Sequence, residues 1–179
     1  MKILSVLLIA VLLIQATAGA DLPQAPAGFN WQEIPELKAA FLKPNGWFFK
    51  REEVNGTLAY FITREEITES GSFQTGLTVN VFHLNKGSAT ERGKRLISNM
   101  ALKHHADTWQ QSSGPFRKFG CFVRDTDSSG TTAMQAVTIA NEKTNTLYLF
   151  IFESPLSDWE TAYKIGKVLM DNLVLDDQT

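Results

Sequence analysis

Thr146-Leu147-Tyr148-Leu149-Phe150-Ile151-Phe152-Glu153 is the stretch that decides the fold. In an extended chain successive side chains alternate, so Leu147, Leu149 and Ile151 fall on one side and Tyr148, Phe150 and Phe152 on the other. Both sides are apolar. A strand of this kind belongs in the middle of a sheet, with packed material in front and behind, because a half-wet sheet would alternate apolar with polar.

Working outward, Phe116 to Asp125 and Thr131 to Asn141 read as the two strands before it, and Pro155 punctuates the chain after it. Ser157 and Glu160 then have the spacing of a capping box. Beyond them Trp159, Ala162, Tyr163, Gly166, Leu169, Met170 and Leu173 recur three or four apart, one buried face of a helix. The first half has the same order. Strands are expected at Trp47 to Val54, Thr57 to Ile67 and Phe73 to Leu84, the first two joined by the hairpin signal Asn55-Gly56. Ser88 and Glu91 open a helix from Ala89 to about Trp109, with Ala89, Gly93, Leu96, Ile97, Met100 and His104 as its inner stripe. Trp109 and the polar run Gln110 to Pro115 are expected to form a loop. The chain therefore runs β-β-β-α twice. Ser88 and Ser157, like Trp47 and Phe116, are 69 residues apart, the spacing of a duplicated unit. Hairpins dominate the connections, which predicts a mainly antiparallel sheet. The fold class is α+β, a three-layer α/β/α sandwich whose covers are the two long helices and a helical turn at Pro35 to Leu42.

The N-terminal end carries a different signal. Met1-Lys2, an apolar run from Ile3 to Ile14, and either Ala16-Thr17-Ala18 or Ala18-Gly19-Ala20 compose a signal peptide over residues 1–20. The apolar run is about a dozen residues, against the roughly 20 of a bilayer-spanning helix, so no membrane span is expected after leader removal. Residues 21–28, broken by Pro23 and Pro26, read as a linker, and 29–179 as one domain in the periplasm or outside the cell. A short strand or turn begins it at Phe29 to Ile34. Cys121, the single cysteine, lies in an apolar strand and reads as a buried inert thiol. The Asn55-Gly56-Thr57 sequon needs no glycan, since a hairpin turn accounts for it.

Pro44, Gly46 and Trp47 lead into the first long strand as Pro-x-Gly-Trp. Together with the order short strand, meander, middle helix, second meander and closing helix, this resembles the PsbP-like α/β/α sandwich group over roughly residues 29 to 175. The resemblance implies a non-catalytic binding or assembly factor, as its members chiefly are; it transfers no functional residue.

Composition excludes some functions. Formal net charge is −2 on 179 residues, which argues against nucleic acid as a partner. No Gly-x-Ser-x-Gly elbow, His-Glu-x-x-His or phosphate-binding glycine loop is present, and no cofactor is implied. Adjacent carboxylates at Glu52-Glu53 and Glu65-Glu66 point to opposite faces of a strand and cannot cooperate as acid and base. Three groups remain. His104 or His105 with Asp107 could ligate a metal, although neighbouring helical residues diverge by about 100°. Asp125, Asp127 and Ser129 supply the opening oxygens of a calcium loop ending at Gly130, but Ala136 stands where the closing glutamate belongs, so a polar hairpin turn is the preferred reading. Arg92 and Arg95 in a basic patch with Lys86 and Lys94, and Trp109 near the helix end, are the candidates for contact with a protein or envelope component. The rival expectation is a ligand pocket between helix and sheet near Trp109, His104 and His105.

Overall fold

The computed structural model describes residues 22–54, 57–67, 71–128 and 130–175. The leader, Asn55-Gly56 of the sequon and Ser129 of the calcium-like run lie outside them. Among the described residues ten strands and two helices follow in order: β1 (Phe29–Ile34), β2 (Ala39–Pro44), β3 (Phe48–Val54), β4 (Thr57–Thr63), β5 (Gly76–His83), α1 (Ala89–Lys103), β6 (Thr108–Ser113), β7 (Phe116–Asp127), β8 (Gly130–Asn141), β9 (Thr146–Pro155), α2 (Trp159–Asp171) and β10 (Leu173–Val174). The protein is α+β, as expected from the sequence. Seven strands form one antiparallel sheet in the order β3-β4-β5-β9-β8-β7-β6, and β1-β2-β10 form a small second sheet.

β9 holds the middle of the large sheet, and both its faces are packed. Tyr148, Phe150 and Phe152 join Phe41 and Leu42 of β2 and Ala162 and Leu169 of α2 in the main core. The Phe41 ring stands edge-on to Phe150 at 6.0 Å. On the opposite face Leu147 packs with Ala89, and Ile151 packs against the cluster that contains Ile97 and Ala101, so α1 covers that side. Gly166 lets α2 come down onto β9: a methyl there would stand 2.5 Å from the Phe152 ring.

α1 starts where the sequence places it, with Ser88 Oγ accepting from the Glu91 N–H at 3.3 Å. Asn145 secures the same corner. Its Oδ1 accepts from the Ala89 N–H, and its amide donates to the carbonyls of Leu84 and Gly87. The second expected capping box does not form. Leu156–Asp158 make a 3-10 turn, Asp158 takes the cap position of α2, and Ser157 Oγ donates to Asp158 instead.

Three further expectations change. Pro35 begins only a 3-10 turn to Leu37; Lys38 is left-handed, and Ala39–Pro44 continue as β2, buried against the core. Pro44-Asn45-Gly46-Trp47 is the turn from small sheet to large one, with Gly46 at φ +80° and the Trp47 N–H on the Pro44 carbonyl. α1 ends at Lys103, six residues early. His105 adopts φ +52°, its N–H meets the Leu102 carbonyl, and the Ala106 N–H meets that of Ala101, a Schellman ending with histidine in the place usual for glycine. The run expected as a loop is β6. As for duplication, a rotation superposing β3-β4-β5 on β7-β8-β9 runs perpendicular to the sheet and would leave both helices on one face. They occupy opposite faces, so the repeat is one of element order.

Candidate functional site

β6 is an end strand of the large sheet, and all six of its residues are exposed. It is placed by the tight ending of α1 on one side and by the turn into β7 on the other. Gly114 takes φ +54°, and Arg117 locks the turn by donating to the Gly114 carbonyl at 2.9 Å while pairing with Glu142 at 2.8 Å. Pro115 accepts from the Glu142 N–H. β6 then pairs along its length with β7, Thr108 opposite Cys121 and Ser113 opposite Phe116.

Alternation sends Trp109, Gln111 and Ser113 to the face that α2 partly covers, and Thr108, Gln110 and Ser112 to the α1 face. The Trp109 indole lies on Gly120 so closely that a methyl there would sit 2.3 Å from the ring, yet 42% of the tryptophan is exposed. α2 roofs β9 and leaves this end of the sheet open. The resulting groove has a volume of about 120 Å³ and is lined by Trp109, Gln111, Lys118 and Val137 of the sheet and by Tyr163 and Met170 of α2. A shallow groove on the α1 side runs along Lys94, Ile97, Ser98, Thr108 and Gln110.

The sheet's other end strand is defended. β3 carries Lys50, Arg51, Glu52 and Glu53, with Lys50 2.6 Å from Glu52 and Arg51 3.1 Å from Glu36. Such charges on an exposed edge oppose pairing with another chain. β6, Thr-Trp-Gln-Gln-Ser-Ser, carries none.

The remaining sequence candidates scatter. His104 caps α1 with its side chain 11% exposed, Nδ1 3.9 Å from Asp125; His105 and Asp107 are exposed. Among the described residues no group of three His, Cys, Asp or Glu side chains could hold a metal. Asp125 and Asp127 lie along β7, opposite Thr132 and Gly130, so this run is strand up to a hairpin turn. Arg92 stacks its guanidinium 4.8 Å over Phe82 of β5, and Arg95 is exposed on α1. β5 and β6 are four strands apart, about 19 Å across the sheet, so Arg92 and Trp109 do not form one patch. Lys94, which the sequence placed in the basic patch, and Lys118, which it left out, border β6; Arg117, opposite Ser112, borders it too but is paired with Glu142. Cys121 is fully buried beneath α1, where burial pushes its thiol pKa up, away from reactivity.

A larger cleft, about 720 Å³, lies elsewhere, lined by Phe73, Thr131, Thr132, Glu153, Pro155 and Leu156. Burial raises the pKa of the Glu153 carboxyl there. Among the described residues no helix is long and apolar enough to cross a membrane.

No protein-family model matches the chain, and no curated protein does. Solved structures do. Cyanobacterial PsbP (CyanoP) from Synechocystis sp. PCC 6803 superposes with a TM-score of 0.56 at 14% identity, over 85% of this chain and 95% of that one. The Ran-binding protein Mog1p of Saccharomyces cerevisiae superposes with a TM-score of 0.52 at 15% identity, over 82% and 95%. The fold is therefore PsbP-like, as the Pro-x-Gly-Trp turn and the element order led us to expect; identities this low speak to fold alone.

Proposed function

We propose that this chain is an exported, non-catalytic module that binds a partner protein, or a protein component of the envelope, through β6 and Trp109. One observation carries the reading: β6 is an exposed, uncharged end strand with a half-open tryptophan, on a sheet whose opposite edge is guarded by four charged residues. The groove beside Trp109 is small against the roughly 300–1,000 Å³ of small-molecule pockets, which favours a surface contact over an enclosed ligand. Export is supported by the leader pattern of residues 1–20.

A photo-crosslinking side chain introduced at Gln111 in cells should capture one discrete partner from the exported fraction, and the same group at Glu53 should not. Capture from Glu53 alone, or from neither, would remove the basis of the reading. A small-ligand carrier is the second reading, favoured by the cleft at Glu153. It expects a bound compound in native mass spectra of the purified protein, lost in Glu153→Gln.

A further inference from the structure

The β6 edge also indicates what kind of partner segment fits it. We infer that β6 accepts an extended, acidic segment of the partner as an eighth strand of the large sheet, with Lys94 and Lys118 receiving its carboxylates on opposite faces. This inference rests on the reading of β6 as the binding edge.

An end strand offers a row of backbone donors and acceptors, which an extended chain can match by hydrogen bonding, while side-chain surroundings select the sequence. Here those surroundings are neutral on the strand and basic beside it. Gln111 of β6 stands opposite Lys118 of β7, so Lys118 borders the edge on the α2 face. Lys94 lines the groove with Thr108 and Gln110 on the α1 face. Neither lysine is in an ion pair with a described residue. Asp171, on the wall of the Lys118 groove, is already held by Lys167. Asp107 precedes β6 and is exposed. Adjacent residues of an added strand point to opposite faces, so two consecutive glutamates would address both lysines at once.

The same geometry disfavours a second copy as the occupant. Antiparallel pairing of β6 with itself has its twofold axis perpendicular to the sheet, which keeps equivalent faces together. The two Lys94 side chains would then share one face and the two Lys118 side chains the other, and β6 itself, Thr-Trp-Gln-Gln-Ser-Ser, brings no carboxylate to any of them. A strand bearing carboxylates supplies that missing charge.

The test is fluorescence anisotropy with a labelled nine-residue threonine–valine peptide carrying two adjacent central glutamates. We expect it to bind roughly three- to tenfold more tightly than its glutamine counterpart, with the difference shrinking at high salt. The double variant Lys94→Gln, Lys118→Gln should bind both peptides alike. N-methylation at alternate peptide residues should abolish binding in one frame and spare it in the other, since alternate N–H groups face opposite edges of a strand. Thr108–Ser113 should gain amide protection. Equal binding of glutamate and glutamine peptides, indifference to both methylation frames, or no binding of the glutamate peptide at millimolar concentration would overturn the inference. So would a peptide-free dimer with β6 amides protected, which would make the occupant a second copy. Cross-linking at Gln111 that persists alongside any of these failures would leave β6 as the partner site and reject only the acidic strand.

Discussion

At the scale of single residues, two carboxyls respond to folding in opposite directions. Burial raises the Glu153 pKa above its ordinary 4.5, so the folded state disfavours the charged form. Its contribution to stability is present below that ordinary value and is lost as pH rises through the raised one. Glu153→Gln should therefore raise the melting temperature at about pH 7 and leave it unchanged at about pH 4; the same shift at both pH values would contradict this. For Glu65 burial also pushes upward, but the Thr75 N–H at 2.9 Å, Arg64, and the Gln74 N–H at 3.2 Å outweigh it and hold the carboxyl below 4.5. That contribution is present above 4.5 and fades as pH falls through the lowered value, so Glu65→Gln should cost stability near neutrality and little in acid, as followed by urea denaturation at both. Gly120→Ala should push the Trp109 ring off the sheet at small cost in stability, because the ring lies at the surface and can swing away. An indole resonance that does not move in the NMR spectrum would count against that placement.

Among the elements, α1 and α2 begin differently, and substitution should separate them. Ser88→Ala removes a side-chain cap and is expected to destabilise the protein by about 0.5–2 kcal/mol in chemical denaturation. Ser157→Ala, at a serine that caps nothing, should stay within about 0.5 kcal/mol. The sequence presented the two serines as equivalent, since each stands three residues before a glutamate. What distinguishes them is the Leu156–Asp158 turn, set by how the chain leaves β9 over the sheet. β6 was unreadable for a related reason. Thr108–Ser113 has no apolar alternation and no β-branched run, and its strand conformation comes from hydrogen bonding to β7. The end of α1 was missed because histidine, not glycine, adopts the left-handed position. The Pro35 segment misled because residues 39–42 are apolar at successive positions, which a buried helix and a strand buried on both sides share.

For the molecule as a whole, β9 is the member both layers depend on. Phe150→Ala should cost roughly 3–5 kcal/mol in urea unfolding, since the ring is fully buried between β2 and the sheet; a loss below about 1 kcal/mol would contradict its central place. The central strand, the meanders, the two helices and the antiparallel sheet were legible in the amino acids alone, because they follow from alternation, helical spacing and turn residues acting over a few positions. The sequence also marked Trp109 as a contact candidate. That Trp109 rides on an end strand, that Lys94 and Lys118 border it, and that Arg92 lies far across the sheet came from the folded chain. Those facts depend on which distant segments pair and which face each helix covers, and such long-range choices are made by packing the whole chain at once.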